Sequence, residues 1–176
     1  MKKTFSPILS TNSGFTLLEM LFAVIIFSFA LVSLMTIASR GVISLATAKN
    51  QLTAQYLAEE SLEVARNIRD ENYIRNLNWM NGLQACVNVD CDIDYTSGVS
   101  QLTPCGSVDC SGHYLYNNQG VFTPTDTSSG TPTTFWRQLT ITNRSPNEVR
   151  VSSTVHWKEK TIEHSMTIST YLSNWQ

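Results

Sequence analysis

Charge is missing where it matters most. From Met20 to Ala38 the chain has 19 consecutive residues without a charge, the length an α-helix needs to cross a hydrocarbon core of roughly 30 Å. Residues 1–13 contain no acid, so Lys2 and Lys3 are the only charges ahead of the segment that opens at Gly14. The positive-inside bias then favours a cytoplasmic N-terminus and an exported C-terminus. From Arg40 to Leu77 there is no proline and one glycine, Gly41, which excludes an early helix break. With 12 basic against 14 acidic residues, no basic excess suggests a nucleic-acid partner.

What stands at the edge of the uncharged run is an acid. Gly14 and Phe15 open the segment Gly-Phe-Thr-Leu-Leu-Glu, which ends at Glu19. Charges in membrane segments are costly and usually mark function, so Glu19 is a candidate site. The motif resembles the class III signal of type IV pilins and pseudopilins. The resemblance implies that a prepilin peptidase cuts between Gly14 and Phe15 on the cytoplasmic side and methylates the new amino group of Phe15. Glu19 becomes the fifth mature residue and an assembly contact with other pilin or pseudopilin subunits, at an inner-membrane assembly platform and in membrane lipid.

Two other readings compete. In a secretory signal with Ala46-Thr47-Ala48 as its cleavage site, the apolar core would exceed the usual 7–15 or so residues, and Arg40 would lie between core and cut. An uncleaved signal anchor holding an exported binding or sensor domain explains the hydrophobicity equally well, but not Gly14 or Glu19.

Loss of residues 1–14 removes Lys2 and Lys3, leaving a mature chain of formal charge −4. Residues 15–39 form the membrane and assembly half of a helix, and 40–77 continue it, rich in good helix formers. Leu57, Ser61, Val64 and Ile68 recur at helical spacing and form a stripe that can pack on a globular domain. Glu63 with Arg66 and Glu71 with Arg75 suit a solvated face.

Residues 78–133 lose periodicity and hold six of the eight glycines, three of the five prolines and all four cysteines. They read as a loop-rich insert that needs a staple. Cys86, Cys91, Cys105 and Cys110 supply two disulfides in an exported compartment, most simply Cys86–Cys91 and Cys105–Cys110, with crossed and nested pairings open. Zinc is the lesser reading of two C-x4-C pairs. Asp90, Asp92 and Asp94 alternate like a calcium loop, but Gln101 stands where a bidentate Glu belongs, so a solvated turn is expected.

The last third alternates as strands do. Val149, Val151, Ser153, Val155 and Trp157 form one face; Ile162, His164, Met166, Ile168, Thr170 and Leu172 follow after a Glu159-Lys160 turn. Phe135, Leu139 and Ile141 mark a strand before the Ser145-Pro146-Asn147 turn, and Tyr114–Tyr116 with Val121–Thr123 suggest a further hairpin. The expected fold class is α+β: a long N-terminal helix packed on an antiparallel sheet spanning residues 134–176. This order is similar to the pilin fold. Ala58–Glu63, Phe135-Trp136-Arg137 and the strand ending in Trp157 look like minor pilins of the PilV type or GspI-like pseudopilins. Thr36 stands where many major pilins have proline, which favours a minor component.

No enzymatic constellation is present. His113, His156 and His164 are placed on separate strands without a neighbouring nucleophile, and Trp79, Trp136, Trp157 and Trp175 read as packing residues. No metal and no cofactor are expected.

Overall fold

The computed structural model describes residues 14–94, 101–106, 109–124 and 130–175. They form two compact units divided between Ala46 and Thr47. Among the described residues one long α-helix, α1 (Leu17–Ile74), and a 3-10 turn (Gln84–Cys86) precede eight strands: β1 (Cys91–Asp94), β2 (Gln101–Pro104), β3 (Tyr116–Asn118), β4 (Val121–Thr123), β5 (Thr131–Pro132), β6 (Phe135–Ser145), β7 (Glu148–Glu159) and β8 (Ile162–Ser173).

In the first unit the helix is apolar all round. Four of its hydroxyls satisfy themselves, with Ser28, Ser33, Thr36 and Ser39 each donating to the carbonyl four residues back, at 2.7–2.9 Å. Such back-bonding removes the cost of an unpaired hydroxyl in hydrocarbon. Among the described residues this is the one helix long and apolar enough to cross a membrane.

In the second unit an antiparallel five-stranded sheet runs β2-β1-β6-β7-β8, and a small sheet runs β4-β3-β5. The stripe of Leu57, Ser61, Val64 and Ile68 is buried, together with Ala54, Ala58, Leu62, Ala65 and Asn72. The alanines at zero exposure keep the helix close to the strands it covers. The result is the α+β, pilin-like arrangement of one long N-terminal helix packed against antiparallel sheet. The helix ends because Asn76 turns left-handed (φ 54). Its N–H donates to Tyr73 O, and Leu77 N–H donates to Asn72 O, the paired bonds of a Schellman cap.

The core falls into two apolar clusters. One gathers Ile68, Trp79, Leu83, Ile93, Leu139, Ile141 and Val151, among others; the second centres on Leu57, Leu115, Phe135, Val155 and Trp157. Ser61, Arg137 and Ser153 sit with zero exposure, each in sequence between residues of the first cluster and residues of the second. Arg137 donates to Glu60 Oε2 at 2.5 Å, to Ile93 O at 3.3 Å and to Leu57 O at 3.5 Å. At the C-terminal end of β7, Glu159 accepts from Asn50, Thr47 and Trp157. These bonds, the Asn50 amide foremost, hold its carboxyl below the usual range.

Several expectations need correction. Asp92 and Asp94 lie on β1 rather than in a solvated turn, and Asp90 accepts from the Thr140 hydroxyl. Five short strands run through residues 78–133, and β1 and β2 extend the main sheet. The turn before β8 is Lys160-Thr161, flanked by the Glu159–Ile162 pair, with Lys160 at φ 57. β3 begins at Tyr116, and His113 lies outside any strand. Trp175 is 53 % exposed and packs on Tyr73, centroids 4.2 Å apart, rather than in the core.

Both cysteine pairs are bonded within themselves, Cys86–Cys91 and Cys105–Cys110. Cys86 and Cys91 belong to the first core cluster, whereas Cys105 and Cys110 belong to neither.

Glu60→Ala strands the buried guanidinium with carbonyl partners, and is expected to cost about 2–3 kcal/mol, the low side for breaking a buried pair because Glu60 is half-exposed. Urea denaturation measures it; a loss under about 0.5 kcal/mol would contradict the role given to Arg137. Closing so short a loop contributes about 2 kcal/mol. Double replacement of Cys86 and Cys91 by Ala is therefore expected to cost that plus a core cavity, about 3–4 kcal/mol. The same change at Cys105 and Cys110 is expected to cost about 2 kcal/mol or less. Equal losses for the two pairs would show that the first does not brace the core.

Candidate N-terminal processing and assembly site

The candidate site is local in sequence and is built on the start of α1. Thr16 is the N-cap: its hydroxyl oxygen accepts from Glu19 N–H at 3.3 Å, and its carbonyl accepts the first helical bond, from Met20 N–H at 3.2 Å. Thr16 and Glu19 stand in the T-x-x-E relation of a capping box. Glu19 lies in the first turn, where the positive end of the helix dipole favours a carboxylate. This cap is a feature that the reading of Glu19 as a membrane charge passed over, although its signature was in plain view.

The backbone bond to Thr16 uses the N–H of Glu19 and not its carboxylate. The side chain is exposed, and no hydrogen bond or ion pair to it occurs among the described residues. The carboxylate is thus available at the rim of an apolar helix surface. Phe15, one residue before the cap, is 76 % exposed.

Gly14 has no structural reason to be glycine. Among the described residues a Cβ there would meet nothing within 4 Å, and its φ is not positive. The fold therefore accepts other residues at this position. A glycine that the fold does not require is explained if something outside the fold reads it, such as a protease that tolerates no side chain before the scissile bond. Lys2 and Lys3 lie outside the described residues. Ala46-Thr47-Ala48 lies inside α1.

Elsewhere the residues singled out for chemistry are dispersed. His156 stacks on Trp136 at 5.0 Å and His164 on Trp157 at 5.4 Å, on opposite faces of the sheet, since His164 is paired with Trp157 rather than His156. His113 Nδ1 lies 3.2 Å from Asp92 Oδ2. One ligand atom each of Asp92, Cys105 and His113 falls within 4.8 Å of the others, but the Cys105 sulfur is tied up in its disulfide and is not the thiolate that metal ligation needs.

Residues 9–35 match the family described as the prokaryotic N-terminal methylation motif. Neither the curated proteins nor the solved structures yield a match. The motif, at the head of a single N-terminal apolar helix, supports a membrane-anchored, type IV pilin-like protein. It implies processing by a prepilin peptidase and assembly with other pilins, a family whose members are typically structural subunits.

Proposed function

We propose that this chain is a minor pilin or pseudopilin subunit of a type IV pilus or type II secretion-like filament. Prepilin peptidase cuts between Gly14 and Phe15 and methylates the Phe15 amine. Residues 1–14 are the cytoplasmic leader, 15–39 the membrane and assembly half of the helix, and 40–77 its second half. The insert of residues 78–133 and the sheet of 134–176 make up the exported part. The subunit performs no chemistry; its partners are the peptidase, the assembly platform of the inner membrane, membrane lipid and other subunits.

One observation carries the reading: a glycine unexplained by the described fold, an aromatic residue and a capped helix start whose carboxylate has no partner among the described residues, all within six residues at the mouth of an apolar helix. Cleavage leaves a positive amine on Phe15, about one helical turn from Glu19. In a filament each subunit brings its amine beside a neighbour's Glu19, and two costly charges neutralise each other in an apolar core. Thr36, in place of the proline of many major pilins, supports a minor role.

Glu19→Gln keeps the length and hydrogen-bonding capacity of the side chain and removes only its charge. Insertion and leader cleavage are expected to stay intact while recovery in sheared filaments, against the membrane pool, falls about tenfold, the equivalent of about 1.4 kcal/mol at the membrane edge. Normal incorporation would remove Glu19 as the assembly contact. Gly14→Leu tests processing separately and is expected to leave the 14-residue leader attached.

A further inference from the structure

β8 is the last strand of its sheet. All twelve of its residues pair with β7 without a register shift, unlike the β6–β7 ladder, which is irregular between Asn143 and Ser145. Its other edge therefore presents a continuous row of backbone donors and acceptors, and no strand of the described residues covers it. Proteins usually blunt such an edge with lysine, proline or a bulge. β8 has none of these, and its only acid or base besides His164 is Glu163, at its start.

Beside this edge runs an open groove of about 590 Å3 between α1 and β8. Tyr56, Glu59 and Glu63 line its helix side, and Ile168, Ser169 and Thr170 line its strand side. Glu59 and Glu63 are both exposed. Arg66 also lines the groove, where it pairs with Glu63 at 3.0 Å and donates to Thr170 Oγ1 at 3.2 Å, so the free negative charge is that of Glu59, which is held only by the Gln55 amide at 2.9 Å and is uncompensated among the described residues. The opposite face of β8 is a hydroxyl stripe, with Thr167 and Ser169 bonded across to Thr154 and Ser152.

We propose that the β8 edge is a docking site for an extended, basic segment of a partner protein, which adds to the sheet as a sixth strand. Side chains of an added strand alternate between faces. Those turned to the groove meet Tyr56, Ile168 and the Glu59 carboxylate, so they are aliphatic or basic. Those turned away continue the hydroxyl stripe, so they are serine or threonine. The inference uses the second unit alone and stands independently of the leader and of Glu19.

The test uses the full mature chain in detergent micelles and three synthetic peptides. The first alternates threonine with valine and lysine, the second has glutamate for lysine, and the third is the first with alternate amides N-methylated so that one edge cannot pair. Hydrogen exchange read by mass spectrometry is expected to slow about tenfold across β8 with saturating lysine peptide. The glutamate peptide is expected to bind about fivefold more weakly, and the methylated one to give no protection. Glu59→Lys, on an exposed helix face, is expected to remove or invert the charge preference. Absence of protection by the lysine peptide, protection on β2 instead of β8, equal binding of the lysine and glutamate peptides, or protection by the methylated peptide would each overturn the proposal.

Discussion

A guanidinium with no exposure to water sits on the core face of the sheet, and the second unit is arranged around its needs. Taking such a charge out of water costs several kcal/mol unless it is paired and hydrogen-bonded. Arg137 lies on β6 between Phe135 and Leu139, where alternation points it toward the helix. Glu60 reaches it from α1, Leu57 lends a carbonyl from the same helix and Ile93 lends one from β1. One side chain thereby ties helix, central strand and neighbouring strand together. A slip of the helix by one residue would carry Glu60 off the guanidinium and leave the charge facing apolar side chains. The apolar clusters on either side supply most of the burial energy, but they tolerate sliding far better than a forked hydrogen-bonding group does.

The same helix meets a different constraint before Ala46. There, no stripe is reserved for a partner and apolar residues surround the axis, the pattern of a helix that finds its apolar environment outside the chain. Backbone bonding is internal, and the hydroxyls of Ser28, Ser33, Thr36 and Ser39 fold back onto the helix. Polar capacity left over is concentrated at the start, where Thr16 caps the backbone and the carboxylate of Glu19 has no partner among the described residues. A charge kept at that position calls for an ion from elsewhere, and the amine created by cleavage at Phe15 is the nearest one that the proposed processing supplies.

The periodic parts of this structure were open to reading. The stripe from Leu57 to Ile68 and the alternation of β7 and β8 follow from spacing, because each element buries one face only. Arg137 shows where that reading stopped: its position on the apolar face of β6 was visible beside Phe135 and Leu139, yet only the helix explains why a charge is tolerated there. β1 escaped because a four-residue strand has too few alternations to stand out, and two of its residues are aspartates; tertiary pairing with β6 and β2 overrides their low strand propensity. At the N-terminus, the roles proposed for Gly14 and Phe15 depend on an enzyme outside the chain, so motif rather than packing carries them. Thr16 was missed because Glu19 already had an explanation.

The central claim is that the chain is cut between Gly14 and Phe15 and methylated on the amine that the cut exposes. Mass spectrometry of the N-terminal peptide, from protein isolated out of the membranes of a producing cell, tests it most directly. The account predicts a first residue of Phe15 bearing a methyl group on its amine. An intact leader through Gly14, or a chain beginning at Lys49 after Ala46-Thr47-Ala48, would contradict it.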